Sequence, residues 1–248
     1  MSIETPEELD RLRVAGKIVR RMLEAMKQFV RAGVTTREID EVGAEVMRKE
    51  QANSAPALVY RFPGTSCISV NDEAVHGVPG HRVIRDGDLV KLDVTIEKNG
   101  FMADAAETVA VGATSEQNRE LIACARRAFE KAMWVARVGF RVNEIGRAFE
   151  REVQKQGFSV IHELGGHGIG RSIQEKPFVP NYPDRRANQV LTDGLVITVE
   201  PIISAGQGAV VADRDGWTFR TLDGSPSAHY EHTIVITKGR PIVLTAAE

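Results

Sequence analysis

The chain has 248 residues, of which 42% are hydrophobic and 27% are charged, as is typical of a soluble globular protein. Its formal net charge of −2 gives no excess of basic residues for stable nucleic-acid binding. No apolar run approaches the roughly 18–20 residues of a membrane span. The acidic start of the chain lacks the apolar core of a signal peptide, which favours a cytoplasmic location. Cys67 and Cys124 support neither a disulfide framework nor a cysteine zinc site.

The first part of the chain predicts two helices and then a strand. Capping boxes at 5–8 and 35–38 begin helices whose apolar stripes run to about residues 30 and 50. A loop with two prolines then leads to a strand over 67–70, and His76 follows in a loop or short strand.

Residues 89–112 predict a β-hairpin that brings two acids together. Apolar and polar residues alternate along the first strand, and the Asn-Gly pair at 99–100 is the sequence preferred in a type I′ turn. This register places Thr95 opposite Asp104 and puts Asp93 diagonal to Asp104 on the same face, roughly 7–8 Å away. Two buried carboxylates would repel, so a metal cation between them is the simplest remedy. Two solvated acids on an exposed face remain the alternative.

The second part of the chain alternates helices, strands and loops in a similar order. Its predicted elements are a helix that Ser115 caps and that runs to about residue 137, a helix that Asn143 caps and that runs to about residue 156, a strand starting at 160, a glycine-rich loop over 162–170, an irregular segment over 171–192, a buried strand over 195–199, a loop over 204–224 and a strand over 230–237.

Short matches recur between the two parts of the chain. The segment 31–39 resembles 137–145, and the segment 86–93 resembles 193–200, at a common offset of about 106 or 107 positions. Two separated matches at one offset favour an internal repeat. The repeat places Glu200 at the position that Asp93 holds in the first part.

The repeat predicts two pseudo-symmetric halves, about 5–112 and 113–248, within one domain of residues 1–248. Each half contains two helices and an antiparallel, hairpin-based sheet with a carboxylate on each of two strands. Glu231 is then the counterpart of Asp104, displaced by the long preceding loop. Neither half buries enough apolar surface to fold alone.

Four acids on two related strand pairs, with His167 from the glycine-rich loop, indicate a dinuclear metal site. Carboxylates with one imidazole suit Mn²⁺, Co²⁺ or Fe²⁺. Two such ions about 3.5–4 Å apart lower the pKa of a shared water, which favours hydrolysis of an amide or ester. Glu200 lies in an apolar strand, where a lone carboxylate is costly to bury unless it binds a partner.

Six informative segments spread over nearly the whole chain: CISVNDEAVHGVP (67–79), VKLDVT (90–95), FMAD (101–104), GGHGIG (165–170), ITVEPI (197–202) and SAHYEHTIVIT (227–237). In these segments and in their order, the chain resembles the type I methionine aminopeptidases, metallopeptidases of the α+β pita-bread fold. Each segment alone is a weak signal, but their joint occurrence is highly specific.

The resemblance implies five ligands for two divalent ions, which would be Co, Mn, Fe or Zn. Asp93 would be bidentate on one metal, Asp104 and Glu231 would bridge, and His167 and Glu200 would bind the second metal. In the family pattern Glu200 also takes a proton from the water that both metals hold. The hydroxide that results attacks the scissile carbonyl.

The resemblance also implies a substrate pocket and an activity. His76 would contact the substrate near its scissile bond, and Phe62, Cys67, Ile173 and Trp217 would line the methionine pocket. The expected enzyme removes N-terminal methionine from nascent proteins or peptides. It would act as a cytoplasmic monomer that meets the ribosome only transiently.

Gln174 departs from the family pattern. The motif GxxHExP is similar to RSIQEKP here, so glutamine replaces a second histidine that contacts the scissile carbonyl in the family. An amide can donate a neutral hydrogen bond but carries no positive charge. The substitution predicts reduced or altered activity.

Two alternatives remain at this stage. An Xaa-Pro aminopeptidase or prolidase would share the fold, although these relatives usually carry an extra N-terminal domain for which the residues before His76 leave no room. A non-catalytic pita-bread binding protein would retain the fold without activity, and only Gln174 favours it. His229 and His232 flank Glu231, and either a role beside the metals or a structural role is open for them.

Overall fold

The computed structural model describes residues 1–246, so residues 247–248 at the end of the predicted second half lie outside the described residues. Five helices form within the described part: α1 Pro6–Phe29, α2 Thr36–Lys49, α3 Ala55–Tyr60, α4 Glu116–Ala132 and α5 Val142–Lys155. No helix within residues 1–246 is both long and apolar enough to cross a membrane.

Fifteen short strands are found in the same residues: β1 Asn53–Ser54, β2 Cys67–Val70, β3 Glu73–Val75, β4 Leu89–Lys98, β5 Phe101–Ala110, β6 Ser159–Val160, β7 Gly165–Gly168, β8 Glu175–Pro180, β9 Val196–Val199, β10 Ile202–Ser204, β11 Val210–Ala212, β12 Phe219–Thr221, β13 Ser227–His229, β14 Glu231–Val235 and β15 Ile242–Val243.

The two N-terminal helices begin where their capping boxes predict. The Thr5 hydroxyl accepts a hydrogen bond from the backbone N–H of Glu8 at 3.3 Å. In α2 the bonding is reciprocal, because Thr35 accepts from Glu38 while the Glu38 carboxylate accepts from the backbone of Thr35 at 2.7 Å. These contacts satisfy N–H groups that have no partner inside the helix.

The central sheet follows the order β1-β4-β5-β14-β9-β7-β8, with β2 also paired to β4 and β15 to β14. The predicted hairpin register is confirmed, since Lys98 pairs with Phe101 and Thr95 pairs with Asp104. Positive φ angles at Asn99 (51°) and Gly100 (82°) match a type I′ turn. This register fixes which side chains of β4 and β5 share a face.

The two halves of the sheet meet at the β5–β14 pair. Helix α1 packs on β4 and β5, and α4 packs against α5 on the other half. One buried apolar cluster lies under α1 and α2, and another lies between α4, α5 and the strands of the second half. Strands β9 and β14 pair antiparallel, but β10 to β13 intervene along the chain.

The glycine-rich segment 162–170 is not a loop throughout, because Gly165–Gly168 forms β7 between β8 and β9. Its glycines permit close approach of neighbouring backbones. A Cβ atom on Gly166 would lie 2.5 Å from the carbonyl oxygen of Thr198, a distance that no side chain tolerates. The same close packing explains why part of the segment 171–192, predicted as irregular, forms β8.

Three further boundaries differ from the sequence predictions. Residues Ala55–Tyr60 form α3 in a predicted loop, because the Ser54 hydroxyl caps the helix by accepting from the N–H of Ala57 at 3.3 Å. The predicted loop over 204–224 contains β11 and β12. Helix α4 ends at Ala132 instead of about residue 137.

Local hydrogen bonds explain the ends of α4 and α5. After α4, the N–H groups of Trp134 and Val135 donate to carbonyls three residues back instead of four, and the N–H of Val138 donates to the carbonyl of Thr237 at 3.0 Å. Helix α5 starts two residues earlier than expected, because the Glu144 carboxylate accepts from the backbone N–H of Arg141 at 2.9 Å. Arg141, not Asn143, is therefore the N-cap residue.

Candidate metal and substrate site

The four predicted acids converge where the two halves of the sheet meet. Ala106 of β5 lies opposite both Asp93 of β4 and Glu231 of β14, and Asp104 is two residues from Ala106 on β5. Because side chains of a strand alternate between faces, Asp93, Asp104 and Glu231 point to one face. Their carboxylate oxygens lie within 4.8 Å of one another.

Glu200 joins this group from the end of β9. Ligand atoms of Glu200, His229 and Glu231 form a second set within 4.8 Å, so Glu231 belongs to both sets. Two adjoining sets with one shared carboxylate suit two ions that lie side by side.

The structure orients His167 toward Glu200. The Nδ1 atom lies 2.9 Å from the carbonyl oxygen of Gly168, which can only accept, so Nδ1 carries the proton and Nε2 has a free lone pair. Nε2 is 3.9 Å from Oε1 of Glu200. Thr198 connects the two residues, because its hydroxyl accepts from the backbone N–H of His167 and donates to Glu200 at 2.7 Å.

The acids are buried at an electrostatic cost. Burial raises the pKa of Asp93 to about 7 and that of Glu200 to about 8. Burial, followed by repulsion from neighbouring carboxylates, raises the pKa of Asp104 and Glu231 well above the usual range. One oxygen of Asp104 and one of Glu231 are buried without a hydrogen-bond partner. Such orphaned oxygens in an acid cluster fit divalent cations, which supply the missing positive charge.

We expect the stabilisation by metal to grow with pH. In the folded, metal-free protein the raised pKa values of Asp93 and Glu200 mean that these groups hold protons that the unfolded chain releases above about pH 4. Their contribution to stability is therefore lost as pH rises through about 4 to 8. Metal ions compete with those protons and relieve the repulsion.

The measurement is the increase in Tm that saturating Mn²⁺ or Co²⁺ produces over a chelator-treated sample at pH 5.5 and at pH 8. A larger increase at pH 8 is expected. The same increase at both pH values would show that metal does not bind at these acids.

The predicted substrate residues line one cavity of about 100 Å³ beside the acids. The rings of Phe62 and Trp217 meet edge to face at 5.2 Å. The lining includes every side chain predicted for substrate contact, together with two residues of α3 that the sequence analysis missed: His76, Gln174, Phe62, Cys67, Ile173, Trp217, Pro56 and Tyr60. The Ser54 cap and the proline at 56 were the available signals for α3.

A second cavity of about 190 Å³ adjoins the acids. It shares Asp93, Asp104, His76, His167 and Gln174 with the first cavity, and its lining also includes Glu163 and Phe178. The acids therefore line both a mainly apolar pocket and a more polar cleft.

His76 lies between the two cavities. It follows β3 with a positive φ of 58°, which is uncommon for a residue with a side chain. The imidazole of His76 is partly exposed, but its burial in the cleft lowers its pKa. The neighbouring His167 lowers the pKa of His76 further. A neutral His76 can donate or accept a hydrogen bond at the junction.

Gln174 is exposed and lines both cavities. It lies in a turn that hydrogen bonds hold in place. The Glu175 carboxylate accepts the backbone N–H groups of Arg171 and Ser172 at 2.8 and 2.9 Å, and it also pairs with the α-ammonium of Met1. The guanidinium of Arg171 covers the ring of Phe101. These contacts fix the backbone that presents the Gln174 amide.

The structure separates the two histidines beside Glu231. His232 is structural, because its ring nitrogens meet the hydroxyls of Thr245 at 2.7 Å and Tyr230 at 3.1 Å. His229 instead points toward the acids, with Nε2 at 3.2 Å from Glu231. Burial lowers the pKa of His229 to about 3, so its imidazole is neutral. The only sign in the sequence that His229 lies beside the acids was its position two residues before Glu231.

The nine-stranded sheet and its acid cluster are those of a pita-bread metallopeptidase, which confirms the α+β fold class. The chain belongs to metallopeptidase family M24, whose model matches residues 10–238. It is 43% identical to methionine aminopeptidase 2 of Bacillus subtilis over 99% of both chains. Its structure superposes on methionine aminopeptidase from Thermotoga maritima with a TM-score of 0.96, at 36% identity and with complete coverage of both chains.

A more distant structural neighbour is the prolidase from Pyrococcus furiosus, with a TM-score of 0.79 and 23% identity. This chain covers 66% of the prolidase chain, and 99% of this chain is matched. At that identity the likeness concerns the fold alone. The predicted resemblance to methionine aminopeptidases is thus confirmed over the whole chain.

Proposed function

We propose that this protein is a metal-dependent aminopeptidase that removes N-terminal methionine from peptides and nascent proteins. The observation that carries the proposal is that Asp93, Asp104 and His167 of the acid and histidine cluster line a mainly apolar pocket. The names of the relatives, at 38–43% identity over 99% of this chain, support the same activity.

Two divalent ions are proposed to bind Asp93, Asp104, His167, Glu200 and Glu231. When bound, such ions lower the pKa of water and polarise the scissile carbonyl. The donor set accommodates Co²⁺, Mn²⁺, Fe²⁺ or Zn²⁺.

We propose that Glu200 moves the proton of the attacking water. Thr198 donates a hydrogen bond to Oε1 of Glu200 at 2.7 Å, which orients this carboxylate. Its raised pKa shows how readily this carboxyl holds a proton in its buried position. The Glu200 carboxylate would take a proton from water and return it to the leaving amine.

The pocket is proposed to hold the methionine side chain. Phe62, Trp217 and Ile173 supply apolar contact, and the buried Cys67 closes one wall. The free amino group would lie against the acids, which favours release of one terminal residue. The rest of the peptide would leave through the cleft beside Phe178.

His76 and Gln174 are proposed to hold the scissile amide between them. Both residues line both cavities, so both can reach an amide that spans the junction. His76 would contact the peptide near the bond to be broken. The Gln174 amide would donate to the carbonyl oxygen, where negative charge develops during attack.

The chain is further proposed to act in the cytoplasm as a monomer that meets the ribosome transiently. Its net charge of −2 argues against stable binding to ribosomal RNA.

A peptide panel tests the proposed substrate class. We expect the metal-loaded protein to release methionine from Met-Ala-Ser at least 100-fold faster than it cleaves Ala-Pro, because the alanine side chain leaves the methionine pocket largely empty. N-acetyl-Met-Ala-Ser should not be cleaved.

Preference for Ala-Pro would favour the prolidase alternative. Metal binding without release from any peptide would favour the non-catalytic alternative. Either result would overturn the proposed activity.

A further inference from the structure

We propose that His229 is a sixth protein ligand of the metal centre, with Nε2 bound to the ion that Glu200 and Glu231 share. The inference rests on the metal centre proposed above and extends it by a residue outside the five ligands that the resemblance implies. It follows from the position, burial and bonding of this one side chain.

The distances suit ligands of a common ion. Nε2 of His229 lies 3.2 Å from Oε2 of Glu231 and 3.9 Å from Oε2 of Glu200. Two ligands that each lie roughly 2.0–2.2 Å from one ion, at tetrahedral or octahedral angles, are separated by roughly 3–3.5 Å. The Glu231 distance already falls in this range, and a small side-chain movement brings Glu200 within it.

Direct hydrogen bonding does not account for this position. Nε2 is close enough to Glu231 for a hydrogen bond, but the direction of the ring nitrogen does not meet the carboxylate oxygen. Both nitrogens of His229 are buried without a hydrogen-bond partner, although the side chain is only 2% exposed. Such a group is costly unless a partner completes it. A cation between the three side chains would accept the lone pair of Nε2 and neutralise both carboxylates.

The backbone holds His229 firmly in this position. Its N–H donates to the hydroxyl of Thr108 at 2.8 Å, and its carbonyl accepts from the same hydroxyl at 2.8 Å. It also pairs with Ile202 across β10 and β13. The imidazole is thus presented from a paired strand, as a preformed ligand requires.

A sixth ligand makes the two metal positions chemically different. With His167, the ion beside Glu200 would have two imidazole donors, whereas the ion at Asp93 and Asp104 would be bound by oxygen. Imidazole suits Zn²⁺, Co²⁺ and Fe²⁺, and carboxylate suits Mn²⁺ and Mg²⁺. We therefore expect one tighter, zinc-like position and one weaker, manganese-like position.

Proton NMR of the unmodified, Co²⁺-loaded chain with ¹⁵N-labelled histidine tests the proposal directly. Imidazoles bound to Co²⁺ give strongly shifted ring N–H signals, and two such signals are expected, one of which disappears in His229→Gln. A spectrum in which every shifted signal persists in His229→Gln would overturn the proposal, as would a single signal from the unmodified chain that persists in the variant.

Metal affinity provides a second measurement that does not depend on peptide hydrolysis. Competition with a chromophoric chelator should show that His229→Gln weakens one of two Zn²⁺ or Co²⁺ equivalents by about 10–100-fold or more. His162→Gln is the matched control, because His162 is exposed and lies 3.7 Å from Glu150. It should bind both ions like the unmodified chain.

Tm of the metal-free variants confirms that they fold. Unchanged affinity of folded His229→Gln for both ions would overturn the proposal and leave the proposed peptidase activity intact. Loss of one ion without any peptidase activity in the unmodified chain would support the sixth ligand and contradict the proposed function.

Discussion

Asp104→Asn is expected to abolish most of the activity and to stabilise the metal-free protein. The variant removes one of the carboxylates that would hold the two ions, and loss of several kcal/mol of metal-derived catalysis corresponds to a decrease in kcat/KM on the order of 10³-fold or more. In the metal-free protein, the same change removes one of four buried acids that repel each other.

The two effects have opposite signs, which distinguishes a metal site from a structural acid. A structural acid would lower Tm when replaced. In chelator at pH 8, we expect the Tm of Asp104→Asn to exceed that of the unmodified chain by roughly 2–4 °C for each kcal/mol of relieved repulsion. The increase in Tm that metal produces should be smaller in the variant.

Asp10→Asn serves as the control, because Asp10 is an exposed acid on α1 with a side chain that is 71% exposed. It should leave both activity and Tm unchanged. A variant at Asp104 that keeps full activity, or that melts lower without metal, would contradict a role for Asp104 as a metal ligand.

Gln174→His is expected to increase kcat on Met-Ala-Ser by about tenfold or more. Gln174 lines both cavities where the scissile carbonyl would lie, and its neutral amide cannot match a charged or strongly polarised donor. Removal of one such donor costs on the order of 10²–10³ in rate, and glutamine retains only part of it. KM should change little, because the contact strengthens in the transition state.

Gln174→Ala extends the series and should be slower than the unmodified chain. Gln154→His, at an exposed position on α5, is the matched control and should be unchanged. If turnover of Gln174→His is equal to or lower than that of the unmodified chain, the amide does not act on the developing charge.

The sequence predicted the parts of the site that depend on strand periodicity and turn chemistry. The Asn-Gly turn at 99–100 determines the register of β4 and β5, and the register determines that Asp93 and Asp104 share a face. The internal repeat then located Glu200. The inference about Asp93 and Asp104 needed only local rules, because a strand alternates its side chains and a type I′ turn fixes the pairing.

The features of the site that the sequence did not predict depend on contacts between segments that are distant along the chain. The segment around His167 is a strand because β8 and β9 approach its glycines closely, which no local pattern reveals. His229 and His232 are equivalent from the sequence, since each is adjacent or nearly adjacent to Glu231. Only the packing of Tyr230 and Thr245 around His232 separates them.

Metal titration of the activity is the most direct test of the central claim. The chelator-treated chain is titrated with Co²⁺ or Mn²⁺ while methionine release from Met-Ala-Ser is measured. The proposed function predicts release near zero without metal and a maximum at about two equivalents, with Asp104→Asn inactive throughout. Full methionine release from the metal-free chain, with no increase on metal addition, would contradict it.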